Sequence, residues 1–161
     1  MIRKVLTTLA GAALALSIGA AGAYFTAQVQ VADSVIRSGT VAISTEPTSA
    51  PLAIDALAPG ATEVRTLSVV NDGTLPSDVI VTPSKKAGIT EFYNALTCKV
   101  TCGGVELYNG PLAAMRTTPI RIAPGARAEM RYEVGLPATV GNTLANDYVK
   151  VSLYVDAEQA H

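Results

Sequence analysis

The 161-residue sequence predicts an all-β fold, two antiparallel sheets packed face to face as a sandwich with one or two short helical turns. Three observations carry that prediction. Segment after segment alternates apolar and polar residues with a period of two, the pattern of a strand with one buried face. Nine Pro and thirteen Gly cut the chain into short apolar runs bounded by turn signals. Trp is absent and Phe occurs twice, so the core has to be aliphatic, largely Val, Leu and Ile.

Met1 to Ala23 reads as a secretory signal. Arg3 and Lys4 form its basic start, Val5 to Ile18 its apolar centre, and Ala21-Gly22-Ala23 a small-residue cleavage site before Tyr24. The rival reading is a membrane anchor, because the uncharged run continues to Ala32. Residues 10–23 are mostly Ala and Gly, and the next segment alternates as a strand, so cleavage is expected. The mature chain, residues 24–161, is then long enough for a single two-sheet domain. Removing the signal takes away two of twelve basic residues and no acidic one, leaving a net charge of −3. No block of like charge stands out, so nucleic acid is not an expected partner. The expected location, after secretion, is the extracellular matrix or the cell surface.

Tyr24 to Val31 opens the mature chain as a strand. Phe25, Ala27, Val29 and Val31 share one face, with Tyr24, Thr26, Gln28 and Gln30 on the other. After a connector, Gly39 to Thr45 forms a second strand with Val41 and Ile43 on one face. A loop with two prolines, Glu46 to Pro51, leads to Leu52 to Leu57 and the turn Ala58-Pro59-Gly60. Thr62 to Val70 is a strand ending in Asn71-Asp72-Gly73, a reversal signal of the hairpin kind. Asp78 to Thr82 comes next, with Val79 and Val81 together.

The middle is less regular. Ile89, Phe92, Tyr93 and Leu96 fit a short helix, and Thr97 to Cys102 with Val105 to Tyr108 a hairpin about Gly103-Gly104. Gly110-Pro111 reads as a break before one helical turn at Leu112 to Met115. Ile120 to Ile122 leads through Ala123-Pro124-Gly125 to a strand over Arg127 to Leu136. Its even positions from Ala128 to Leu136 face the core, and Arg127, Glu129, Arg131 and Glu133 face water. Pro137 to Asp147 is a loop. The last strand turns Val149, Val151, Leu153, Val155 and Ala157 inward and Lys150, Ser152 and Asp156 outward. LAPGATEVRTLSV and IAPGARAEMRYEV look alike. They read as one turn reused at two edges of the sandwich, since the period is too long for a solenoid.

The residues supply no active site. The one histidine is His161, so a zinc motif or a histidine-based triad has no donor or base. Glu129 and Glu133 belong to a wet strand face, and Asp72 and Asp78 flank a turn without a calcium-loop pattern. No glycine pattern looks phosphate-binding. The chain is therefore expected to be no enzyme and to need no metal or cofactor. Cys98 and Cys102 leave two pictures open. Export and an even cysteine count invite a disulfide closing a tight loop over Lys99-Val100-Thr101. Alternation instead puts both thiols inward beside Val100 on a straight strand, where four residues span about 13 Å, against the roughly 4.4–6.8 Å a disulfide needs.

The pieces GAAGAYF, SGTVAIS, DALAPGATEVRTLSVVNDGTLPSDV, IAPGARAEMRYEVGLP and VSLYVDAEQ, in that order, resemble the TasA/camelysin family of secreted bacterial matrix proteins with SipW-type signal peptides. The resemblance implies a jelly-roll-like sandwich and a subunit of a biofilm-matrix fibre. The partner would be a second copy or a related matrix subunit, with a signal peptidase acting during export. It also implies that residues 24–31 are a donor strand, Phe25, Ala27, Val29 and Val31 entering the neighbour's groove by β-augmentation. The chain is shorter than TasA and carries the cysteine pair. The alternative is a monomeric or accessory surface protein whose first strand completes its own sandwich. Some relatives are described as peptidases, a label the single histidine does not support.

Overall fold

Alternating apolar residues bury one face of every long strand, and two sheets meet over those faces. The computed structural model describes residues 26–30, 41–54, 57–141, 143–144 and 147–160, the first stretch by its backbone alone. Its strands are β1 (Thr26–Gln30), β2 (Ile43–Glu46), β3 (Thr62–Asn71), β4 (Ser77–Gly88), β5 (Thr97–Cys102), β6 (Val105–Pro111), β7 (Ile120–Ile122), β8 (Arg127–Gly135) and β9 (Val149–Gln159). One helix, α1 (Thr90–Ala95), and 3-10 turns at Leu112–Ala114 and Ala138–Val140 join them. A four-stranded sheet has the order β1-β9-β4-β7 and a five-stranded sheet the order β2-β3-β8-β5-β6.

The pairings nest. β5 pairs with β6, β4 with β7, β3 with β8 and β1 with β9, all antiparallel. A long hairpin folded at Gly103-Gly104 and rolled up gives this set of pairs, which is the jelly-roll topology. β2 is an added edge strand beside β3. Gly103 and Gly104 have φ of 57° and 84°, the left-handed values that a two-residue hairpin turn demands.

The core lies between the sheets. Val79, Val81, Leu153, Val155 and Ala157 come from one, and Leu67, Val69, Val100, Met130 and Tyr132 from the other, each with no exposed surface. Each fully buried Val or Leu contributes on the order of 1.5–3 kcal/mol from the hydrophobic effect. Arg127, Glu129 and Arg131 line the exposed face of β8, with Glu133 half-buried beside them. Ser152, expected outward, is 8% exposed; its short side chain sits between the longer Lys150 and Tyr154 of the same strand face.

Four readings are corrected. β4 runs on to Gly88 rather than stopping near Thr82, pairing with β9 along its whole length and accommodating a register shift between Lys85 and Ala87. Pro83 is tolerated because β7 pairs only with Ser77 to Val79, so no ladder partner there needs a proline N–H. β6 likewise continues through Gly110-Pro111, at the edge of its sheet. Asn71-Asp72-Gly73 makes no hairpin: it is a corner by which the chain leaves one sheet for the other. Finally, the two Ala-Pro-Gly segments do not mark sheet edges. β3 and β8 are inner neighbours related by a local two-fold axis. Gly60 N–H donates to Leu136 O at 2.7 Å as Gly125 N–H donates to Asn71 O at 2.8 Å, so each turn clamps the far end of the other strand.

Candidate assembly edge and apolar cleft

β9 is the strand on which the candidate site is built. One edge is paired with β4 from Val149 to Gln159. On its other edge β1 lies antiparallel from Thr26 opposite Glu158 to Gln30 opposite Tyr154. Ala27 and Val29, two of the expected donor positions, fall opposite Ala157 and Val155, whose side chains are in the core. Phe25 and Val31, the cleavage residues Ala21, Ala23 and Tyr24, and His161 lie outside the described residues. Among the described residues β1 is hydrogen-bonded to β9 alone, and β9 from Val149 to Leu153 has no partner on that edge.

An apolar cleft of about 420 Å³ runs beneath this half of β9. Val149 and Val151 form its wall from one sheet, Val134 and Leu136 its wall from the other. Leu96 and Leu112, 4% and 1% exposed, close its inner end, and Phe92 of α1 flanks it. A strap described over residues 52–54 and 57–59 borders it, with Leu52, Ile54 and Leu57 packed against the core. Arg65 holds the strap: its Nε donates to Ala53 O at 2.7 Å while Nη1 pairs with Glu63 at 3.2 Å. Asp147 and Tyr148 stand at the mouth, where Ile89 N–H donates to Tyr148 O at 2.9 Å. Sequence reasoning missed this cleft. Its one local signal is Leu52 to Leu57, an apolar segment between prolines with no strand alternation.

Cys98 and Cys102 both lie on β5 as free thiols, Cys98 buried and Cys102 half-buried. Lys99-Val100-Thr101 is strand, not loop. Burial pushes the Cys98 thiol up to about 12 and raises the Cys102 thiol, which also faces the Glu129 carboxylate. Burial raises the Tyr132 phenol too, whose Oη donates to Met130 Sδ at 3.4 Å. Above the ordinary values, 9.0 for the thiol and 10.0 for the phenol, the unfolded chain releases these protons while the folded chain keeps them. The folded state then binds more protons, so stability falls as pH rises. The urea midpoint is expected to be lower at pH 10 than at pH 7.5, and lower still at pH 10.5; a flat profile would contradict the buried placement.

Among the described residues the acidic side chains do not converge on a site. Asp78 accepts two hydrogen bonds from Arg121 at 3.0 and 3.1 Å. Glu133 is paired with Arg131, and Glu129 is exposed on the same strand.

A profile of the camelysin metallo-endopeptidase family matches residues 1–90, more than half of the sequence. The chain belongs to that family. No curated protein matches it significantly. The family's description names a metal-dependent activity, and the donor set among the described residues of this camelysin-family chain does not fit one. Among the described residues no three His, Cys, Asp or Glu side chains are grouped to hold an ion, and the sequence offers a single histidine. A hydrolytic metal site needs about three protein ligands and an open position. No helix among the described residues is long and apolar enough to cross a membrane.

Proposed function

We propose that the chain is a secreted, non-enzymatic structural subunit of an extracellular matrix fibre. Residues 24–31 of each copy add to the β9 edge of the next. The observation that carries this reading is the position of β1, a strand next to the proposed cleavage site, alternating in pattern and, among the described residues, hydrogen-bonded to β9 alone. Backbone bonds to β9 are the same whether the strand comes from its own chain or a neighbour's, so exchange between copies costs little. Alternate positions 27 and 29 fall opposite core residues, which would fix the register of an added strand. Head-to-tail addition does not close on itself and yields filaments. Family membership supports the same reading, and strand addition requires neither cofactor nor metal.

A second reading is a monomeric or accessory surface protein with β1 in its own sandwich. It is favoured by one observation: in the single chain β1 completes the four-stranded sheet. Electron microscopy of protein beginning at Tyr24, beside protein beginning at Ser34, separates the two. Filaments from the longer form and none from the shorter are expected. Monomers from both, the shorter merely less stable, would favour the accessory role.

A further inference from the structure

We propose that the cleft beneath β9 binds one molecule of a single-chain amphiphile whose head group is uncharged or cationic. This inference goes beyond strand addition and does not depend on which chain supplies β1. Size is the first argument: about 420 Å³ falls in the range of small-molecule pockets. Shape is the second. The lining grades from Tyr148, 59% exposed, to Leu96 and Leu112, 4% and 1% exposed, so an apolar chain that follows it from the exposed to the buried side leaves water.

Charge selects the head. No Lys, Arg or His lines the described cleft, and Asp147, at the mouth, is its one charged side chain. An anionic head seated there would meet like charge among the lining residues, and the ammonium of nearby Lys85 is already engaged with Gly88 O at 2.8 Å. An ammonium or hydroxyl head would meet an acceptor. The mouth itself is amphipathic. Tyr148, 59% exposed, lines the cleft, and the 39% exposed Ile89 is tied to it by its backbone N–H. Tyr148 adds a polar tip to an apolar ring, a combination that suits a boundary between tail and head.

The test uses the full mature chain and a neutral apolar fluorophore, N-phenyl-1-naphthylamine, displaced by dodecylammonium, 1-monolaurin or laurate below their micellar concentrations. The absence of Trp keeps the background low. Dodecylammonium and monolaurin are expected to displace the probe saturably at one per chain, with laurate about tenfold weaker. Shortening the tail by two methylenes should weaken binding by about fifteenfold, as each buried methylene is worth roughly a factor of four. Asp147→Asn should remove most of the penalty on laurate. Ala58→Phe, at an exposed position that lines the cleft, should weaken all three ligands. No saturable displacement, laurate binding as tightly as dodecylammonium, or affinity unchanged by Ala58→Phe with the far-ultraviolet dichroism intact would each overturn the proposal.

Discussion

Gly88→Ala is expected to destabilise the protein by at least about 3 kcal/mol, lowering the melting temperature by roughly 10 °C. Gly88 ends β4 with φ of +94°, and a Cβ there would lie 2.2 Å from Tyr148 O, 2.7 Å from Val149 Cα and 2.9 Å from Tyr148 C. All of these are backbone atoms, so no side-chain rotation relieves the overlap. β4 and β9 must separate where they frame the cleft mouth, and the bond from Ile89 N–H to Tyr148 O goes with them. Gly125→Ala is the control. Its φ is +72° but its Cβ meets open space, so it should cost only the left-handed penalty of about 1–2 kcal/mol. Equal losses in the two variants, measured by urea denaturation, would show that the close approach of β4 to β9 is not what Gly88 serves.

Asn71→Ala should cost about 3–5 kcal/mol, because it strands one buried and two part-buried polar groups at roughly 1–3 kcal/mol each, the latter two partly relieved by water. The Asn71 side chain is fully buried. Its Nδ2 donates to Leu75 O at 2.8 Å and to Ile122 O at 2.9 Å, and its Oδ1 accepts from Gly73 N–H at 2.9 Å. One amide thus ties the end of β3 to the corner leading into β4 and to the end of β7. Asn71→Asp keeps the acceptor for Gly73 but points a carboxylate at two carbonyl oxygens. It should be at least as damaging at pH 7 and recover partly on acidification, as the protonated acid regains a donor. A loss below about 1 kcal/mol for Asn71→Ala would mean that water replaces the amide at this corner.

Asn71 also marks where sequence reading stops. Its turn chemistry is local and was legible, but the direction the chain takes afterwards depends on which sheet the next strand joins. The strands of the last third were legible for the opposite reason. β8 and β9 alternate over nine and eleven residues with one wet face, so local pattern and tertiary burial agree. The Gly103-Gly104 hairpin was legible because few sequences other than Gly-Gly supply two left-handed residues in a row. β4 beyond Thr82 was not: Pro-Ser-Lys-Lys-Ala-Gly reads as turn, and pairing with β9 overrides that propensity. The cleft was hidden for a plainer reason. Its walls come from the strap, α1, both sheets and the loop before β9, segments far apart in the chain that meet only when the jelly roll closes.

Addition of β1 to β9 of another copy would bring fixed pairs of residues together across two chains. Gln28 and Asp156 are antiparallel partners, so their alpha carbons are expected about 4.5–5.5 Å apart, within disulfide range. Mature chains carrying Gln28→Cys are mixed with chains carrying Asp156→Cys, assembled, oxidised and mapped by mass spectrometry, with the linkage assigned apart from Cys98 and Cys102. Strand addition between copies predicts a disulfide joining position 28 of one chain to position 156 of another, concentrated in the filament fraction. No such link in the mixture, while a chain carrying both substitutions closes the bond within itself and stays monomeric, would contradict it.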